Sequence, residues 1–157
     1  MSDEKVRLGI NELIAAYADC IDDDRLEEWP DFFVDDCRYL ITDRESHEAG
    51  FKHGVIYCAS RGMLVDRVTS LRRVLVYEVH RYRHLVGPTR ILSLDGKVAE
   101  TRSNFFVARI MHDGGMSLFA TGRYLDRIDV SREPYRFSER VVVLDSQKID
   151  TLLVIPL

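Results

Sequence analysis

Cysteine is scarce in this chain of 157 residues: Cys20, Cys37 and Cys58 are the only three, and none lies near another. An odd, widely spaced set gives no disulfide framework. Each is expected to act as a small buried hydrophobe in a reducing, cytoplasmic setting. Long apolar runs are missing as well. Residues 152–157 form the longest candidate and fall far short of the roughly 18 residues of a membrane span. Residues 1–7 are charged and lead into an amphipathic pattern, so a targeting segment is not expected there. Positive charge is not in excess: 22 Lys and Arg stand against 26 Asp and Glu, a net charge of -4. That balance gives no pull toward nucleic acid or an anionic membrane.

Several catalytic signatures are absent too. There is no GxGxxG, no GxxxxGK[ST] and no GxSxG, which removes the phosphate-cradling loops and the nucleophile elbow. A Rieske cluster needs paired Cys–His motifs. Here Cys37 is followed by Arg38 and Tyr39, and Cys58 by Ala59 and Ser60, so the chain carries no such cluster. The run Asp22-Asp23-Asp24 lacks the alternating ligands, central Gly and late Glu of a calcium loop, and reads as a solvated helix end. The histidines are His47, His53, His80, His84 and His112. His80 and His84 have the spacing of two ligands on a helix, but they lie where the sequence turns to strand, with Arg81 and Arg83 between them. They are read as solvated or partner-facing residues. No metal, cofactor-binding or catalytic residue is expected in this chain.

What is present is a composition of 46% hydrophobic and 31% charged residues, enough for one domain over 1–157 with a core that needs no staples. Val6, Ile10, Leu13, Ile14, Tyr17 and Ile21 recur at helical spacing and predict a first helix that ends at the aspartates. A short helical piece carries Leu26, Trp29, Phe32 and Phe33, with Pro30 opening a new turn. A strand is predicted over residues 37–42, followed by irregular chain over 43–54. Tyr57, Leu64, Val68, Leu71 and Leu75 predict a further helix. From Leu85 the period changes to two. Asp95-Gly96 and Asp113-Gly114-Gly115 are hairpin signals. Strands follow over 116–130, with Phe119 and Leu125 spoiling the alternation, and then over 137–144 and 149–155. A helical N-terminal half (5–75) followed by an antiparallel sheet (85–156) is an α+β architecture. Long strands in so small a domain should curl around the helices into a cone.

Two readings of the residues stay open. Tyr17, with Asp35 or Asp36 and with His84 near the sheet, would supply the side-chain types of an acid–base pocket, making the chain a stand-alone lyase or isomerase. An open apolar pocket would instead mark a small-ligand binding module. Basic and aromatic residues also gather at Arg67, Arg72, Arg73, Tyr77, Arg81, Tyr82, Arg83 and Arg90, residue types favoured at protein interfaces.

Longer stretches resemble a known family. These are Tyr77-Glu78-Val79-His80-Arg81-Tyr82-Arg83-His84-Leu85-Val86-Gly87, Arg102-Ser103-Asn104-Phe105-Phe106-Val107 and Gly122-Arg123-Tyr124-Leu125-Asp126. Trp29-Pro30-Asp31-Phe32-Phe33 fits as well, as does the closing stretch of Glu139-Arg140-Val141-Val142-Val143-Leu144-Asp145-Ser146 with residues 149–157. Together they resemble the small (beta) subunits of aromatic-ring-hydroxylating, Rieske non-haem iron dioxygenases, and within them the group acting on aromatic carboxylates such as terephthalate or benzoate-like acids. The resemblance implies the cone fold of nuclear-transport-factor-like proteins, ketosteroid isomerase and scytalone dehydratase, and a structural, non-catalytic role. It implies a large (alpha) subunit bearing a Rieske 2Fe–2S cluster and a mononuclear iron, electrons from NADH through a reductase, and a hexamer of three large and three beta subunits.

Overall fold

The structure, a computed structural model, describes residues 3–148 and 153–157. The N-terminal stripe forms helix α1 (Asp3–Asp22), which buries Val6, Ile10, Leu13, Ile14, Tyr17 and Ile21. Asp24 ends it by taking φ 58, the left-handed conformation that an Asx residue tolerates at a helix C-terminus. Pro30 sits in a 3-10 turn (Trp29–Phe32) rather than in an α-helix.

Strand β1 (Phe33–Asp43) starts at Phe33, four residues before the expected position, so Phe33 is a strand residue. The stretch expected to be irregular holds a short helix, α2 (Arg44–Glu48), whose N-terminus is capped by the Asp43 carboxylate accepting from the Ser46 N–H at 2.9 Å. Tyr57 belongs to strand β2 (Ile56–Cys58), which pairs with β1. Helix α3 (Arg61–Arg73) therefore begins later than its apolar spacing suggested, after the Ser60 cap, and Leu75 lies beyond its end.

The period-two region begins at β3 (His80–Val86), ahead of Leu85. It continues through β4 (Arg90–Leu94), β5 (Val98–Met111), β6 (Met116–Asp129) and β7 (Arg136–Leu144). Gly96 and Gly114 have φ 93 and 89, the positive values that both hairpin turns require. The strand predicted over 149–155 falls partly on residues 149–152, outside the described residues. Residues 153–157 are buried but form no strand.

The sheet runs β2-β1-β7-β6-β5-β3, with β4 also paired to β5. The expected antiparallel pairing holds except between β1 and β7, which are parallel. Strands 33–43 and 136–144 are far apart in sequence, so no hairpin constrains their relative direction.

Register shifts in four of the pairings bend the sheet. Its concave face packs on α1, α3 and residues 153–157 in one apolar cluster. One shift explains why Phe119 broke the alternation of β6. Val107 pairs with Ala120 and Ala108 with Leu118, so Phe119 is an extra residue. Beyond the bulge Met116 and Leu118 turn outward, 77% and 67% exposed. Leu125 broke the pattern for another reason: on the outer face it packs on Leu40, Val141 and Val143. No helix among the described residues is long and apolar enough to cross a membrane.

Candidate functional site

A cone of this kind can hold a ligand inside, so its interior is the first place to look for a site. The interior is occupied by the protein itself. Tyr17 from α1 and Tyr39 from β1 both donate their hydroxyls to the main-chain oxygen of Leu157, at 2.8 and 2.9 Å. The Leu157 N–H returns a bond to the Tyr39 hydroxyl at 3.0 Å. Arg67 of α3 reaches the Leu153 carbonyl at 3.1 Å. Trp29, Phe33 and Phe137 pack edge-on or tilted around these tyrosines at centroid distances of 5.1 to 6.2 Å.

Behind the tyrosines lies a buried ion pair. Arg140 of β7 grips Asp126 of β6 in bidentate fashion, Nε and Nη2 each at 2.8 Å. The guanidinium carbon stands 4.0 to 4.2 Å from the ring centres of Tyr124, Phe137 and Tyr17, so the cation is boxed by aromatic faces. Burial opposes the charge on Arg140, but the pull of Asp126 outweighs it and holds the guanidinium protonated. Burial pushes the Asp126 carboxyl up, against the attraction of Arg140. The same loss of solvent raises the hydroxyls of Tyr17, Tyr39 and Tyr124. Phenols so placed stay protonated near neutrality and are not bases; those of Tyr17 and Tyr39 serve as hydrogen-bond donors.

The residues singled out from the sequence for acid–base work do not converge. Asp35 and Asp36 are exposed on β1, while the Tyr17 hydroxyl is turned inward onto Leu157. His84 was read as a surface group, and the structure corrects that: it is 7% exposed. The alternation of β3 turns Tyr82 and His84 inward, and His84 meets Asp22 at the end of α1. Its ring Nδ1 lies 2.6 Å from Asp22 Oδ1, and its backbone N–H donates to Oδ2 at 2.8 Å. Asp22 is thus a buried acceptor, unlike its exposed neighbours Asp23 and Asp24. His80 packs its ring on Tyr77 and Tyr82 instead of facing His84. Among the described residues no three His, Cys, Asp or Glu side chains gather as metal ligands would. The thiols of Cys20 and Cys37 are buried and pushed up to about 11 by loss of solvent, so neither is a nucleophile near neutral pH.

The Asp126–Arg140 pair and the Asp22–His84 pair were both missed in the sequence. Strand parity held the signal for the first. Asp126 falls on the same face as Tyr124 and Ile128, and a carboxylate on a core face demands a cation.

The outer face of the sheet is different in kind. Leu85 of β3 stands directly opposite Phe106 of β5, 58% and 45% exposed, and Met116 and Leu118 of β6 lie across the same sheet. Arg81 and Arg83 extend the same face along β3. Singly exposed apolar residues are ordinary, but a contiguous group marks an interaction surface.

Known proteins share this fold. The family model described as "Ring hydroxylating beta subunit" matches residues 16–151. The beta 2 subunit of the terminal oxygenase component of terephthalate 1,2-dioxygenase from Comamonas sp is 43% identical, covering 91% of this chain and 93% of that one. The anthranilate 1,2-dioxygenase small subunit from Burkholderia cepacia is 34% identical, covering 99% and 96%. A solved structure, described as the beta subunit of an aromatic-ring-hydroxylating dioxygenase from Novosphingobium aromaticivorans, superposes with a TM-score of 0.90 at 38% identity over 98% of each chain. A protein assigned as a scytalone dehydratase from the same organism shares the fold alone, with a TM-score of 0.70 at 14% identity over 94% and 89% of the two chains. The cone fold expected from the sequence is therefore the one observed, and the chain belongs to the ring-hydroxylating beta-subunit family of dioxygenases.

Proposed function

We propose that this chain is the structural, non-catalytic beta subunit of the terminal oxygenase of a multicomponent aromatic-ring dioxygenase, acting in the cytoplasm. It folds as a single domain and holds a large alpha subunit in place for dihydroxylation of an aromatic carboxylate, terephthalate-like or benzoate-like. The alpha subunit carries the Rieske cluster and the mononuclear iron, and NADH supplies electrons through a reductase. Three alpha and three beta subunits make the assembly, with beta subunits also touching one another.

One observation carries this reading: both tyrosine hydroxyls that an interior site would use are committed to Leu157. The apolar and cationic outer face, which carries Arg81 and Arg83 of the Arg/Tyr-rich segment beside Leu85, supports a partner surface on that side of the sheet. The relatives named for terephthalate and anthranilate dioxygenases support the substrate class.

The test is reconstitution. Alone, the purified chain should bind no iron and turn over neither terephthalate nor benzoate. Added to its large subunit, it should restore an assembled, active oxygenase. Dehydratase or isomerase turnover by the isolated chain would overturn the proposal.

A further inference from the structure

The chain between α3 and β3 is an apolar stretch that neither the core nor the sheet uses. Val74, Leu75, Val76 and Val79 are all exposed, Val76 at 97%. A single exposed valine is ordinary, but four apolar residues so placed within 74–79 form a patch. Among the described residues, turn and loop hydrogen bonds between main chains stop at Leu75. Over 76–78 the Glu78 carbonyl alone is engaged, accepting from the His80 ring at 2.8 Å. The valines are β-branched and favour strand pairing, yet the backbone beside them is left to solvent.

This stretch runs into an open edge. β3 is the last strand on the path of the sheet and pairs with β5 alone. The far half of its outer side is closed by α1, whose Asp22 takes the His84 N–H at 2.8 Å. The near half, from His80 back into the valines, has no strand beside it among the described residues. Sheet edges are ordinarily blunted by Pro or by charge. Residues 74–79 hold no Pro and one charge, Glu78. An unblunted edge of this kind is what an added strand uses, its backbone bonds giving affinity and its side chains specificity.

Charge selects the strand. Arg73 and Arg81 flank the stretch, exposed and without an ion pair among the described residues, and Arg83 follows, 68% exposed and 3.9 Å from Asp22. A local excess of cations in a chain of net charge -4 fits a partner that brings carboxylates. The opposite edge of the same sheet, β2, does not supply them. Residues 49–65 around it hold Lys52 and Arg61 and no Asp or Glu. Pairing of 74–79 with β2 of a second copy would set cations beside cations.

We propose that residues 74–79 receive an apolar strand bearing carboxylates from the large subunit. That strand pairs with the main chain of 76–79 and sets its carboxylates against Arg73 and Arg81. The inference rests on the subunit role and carries the contact from the outer face to the edge of the sheet.

Amide hydrogen exchange of the full chain, alone and in complex with the large subunit, tests it. The amides of 76–79 should exchange freely in the isolated chain and slow at least about tenfold in the complex. Val76→Ser with Val79→Ser should weaken association about tenfold. Arg73→Gln with Arg81→Gln should flatten the dependence of association on salt. All four positions are exposed, so the melting temperature of the isolated chain should not move. A complex that forms while the amides of 76–79 exchange as in the free chain overturns the inference and leaves the subunit role standing. Protection that arises in the isolated chain as its concentration rises gives the edge to a second copy, and also overturns it. If the unaltered chain forms no complex with the large subunit, the subunit role falls and this inference falls with it.

Discussion

The concave and convex faces of one sheet have been put to opposite uses. On the concave side Tyr17 and Tyr39 bond Leu157, Arg140 clasps Asp126, and the rings of Trp29, Phe33 and Phe137 pack around them. On the convex side Leu85, Phe106, Met116 and Leu118 stay exposed. A fold able to hold a ligand inside has here spent its interior on rigidity, which leaves recognition to the outside. Substitutions on the two faces should therefore separate stability from assembly.

The largest effect should come from the interior. Arg140→Leu removes the cation and strands Asp126 in a dry site, a loss on the order of 3–5 kcal/mol, measurable by urea unfolding. A loss near zero would mean that the box of rings, not the ion pair, holds the cone. Next comes the convex face. The double change Phe106→Asp and Leu118→Asp should weaken association with the large subunit at least about tenfold while stability moves by roughly 0.5 kcal/mol or less. Co-purification at the original level would remove this face from the interface. Tyr39→Phe deletes two hydrogen bonds to Leu157 and should cost about 1–2 kcal/mol, with faster proteolysis near residues 153–157. Unchanged protease resistance would show that apolar packing alone seats that segment.

Acid should act on the turns before it acts on either face. Ser46 donors hold Asp43 below the ordinary carboxylate range, those of Val98 and Lys97 do the same for Asp95, and Ser131 does so for Asp129. A lowered native value means stability that is fully present above about pH 4 and lost as pH falls through the lowered values. Asp126, pushed up by burial, runs the other way and offsets part of this. Thermal melting should thus decline below about pH 4, and Asp95→Asn should flatten the decline. The smallest effect belongs to Asp36→Asn, on an exposed position outside both regions, which should change stability by less than about 0.5 kcal/mol.

Much of this was legible in the sequence for identifiable reasons. The apolar stripe of α1 and the two glycine turns depend on local spacing and local φ, so they could be read directly. The bulge at Phe119, the parallel β1–β7 pairing and the start of β3 at His80 depend on contacts between distant strands, which local patterns do not encode. His84 shows the same limit. Its inward turn follows from the true start of β3, and its partner Asp22 lies 62 residues away in the sequence, hidden within a run of three aspartates.

The most direct test is native mass spectrometry of the untagged chain isolated from its source cells. The account predicts a complex with equal copies of a larger, iron-containing chain, which the Phe106 and Leu118 substitutions dissociate while the beta chain stays folded. A homo-oligomer of this chain with nothing else bound would contradict it.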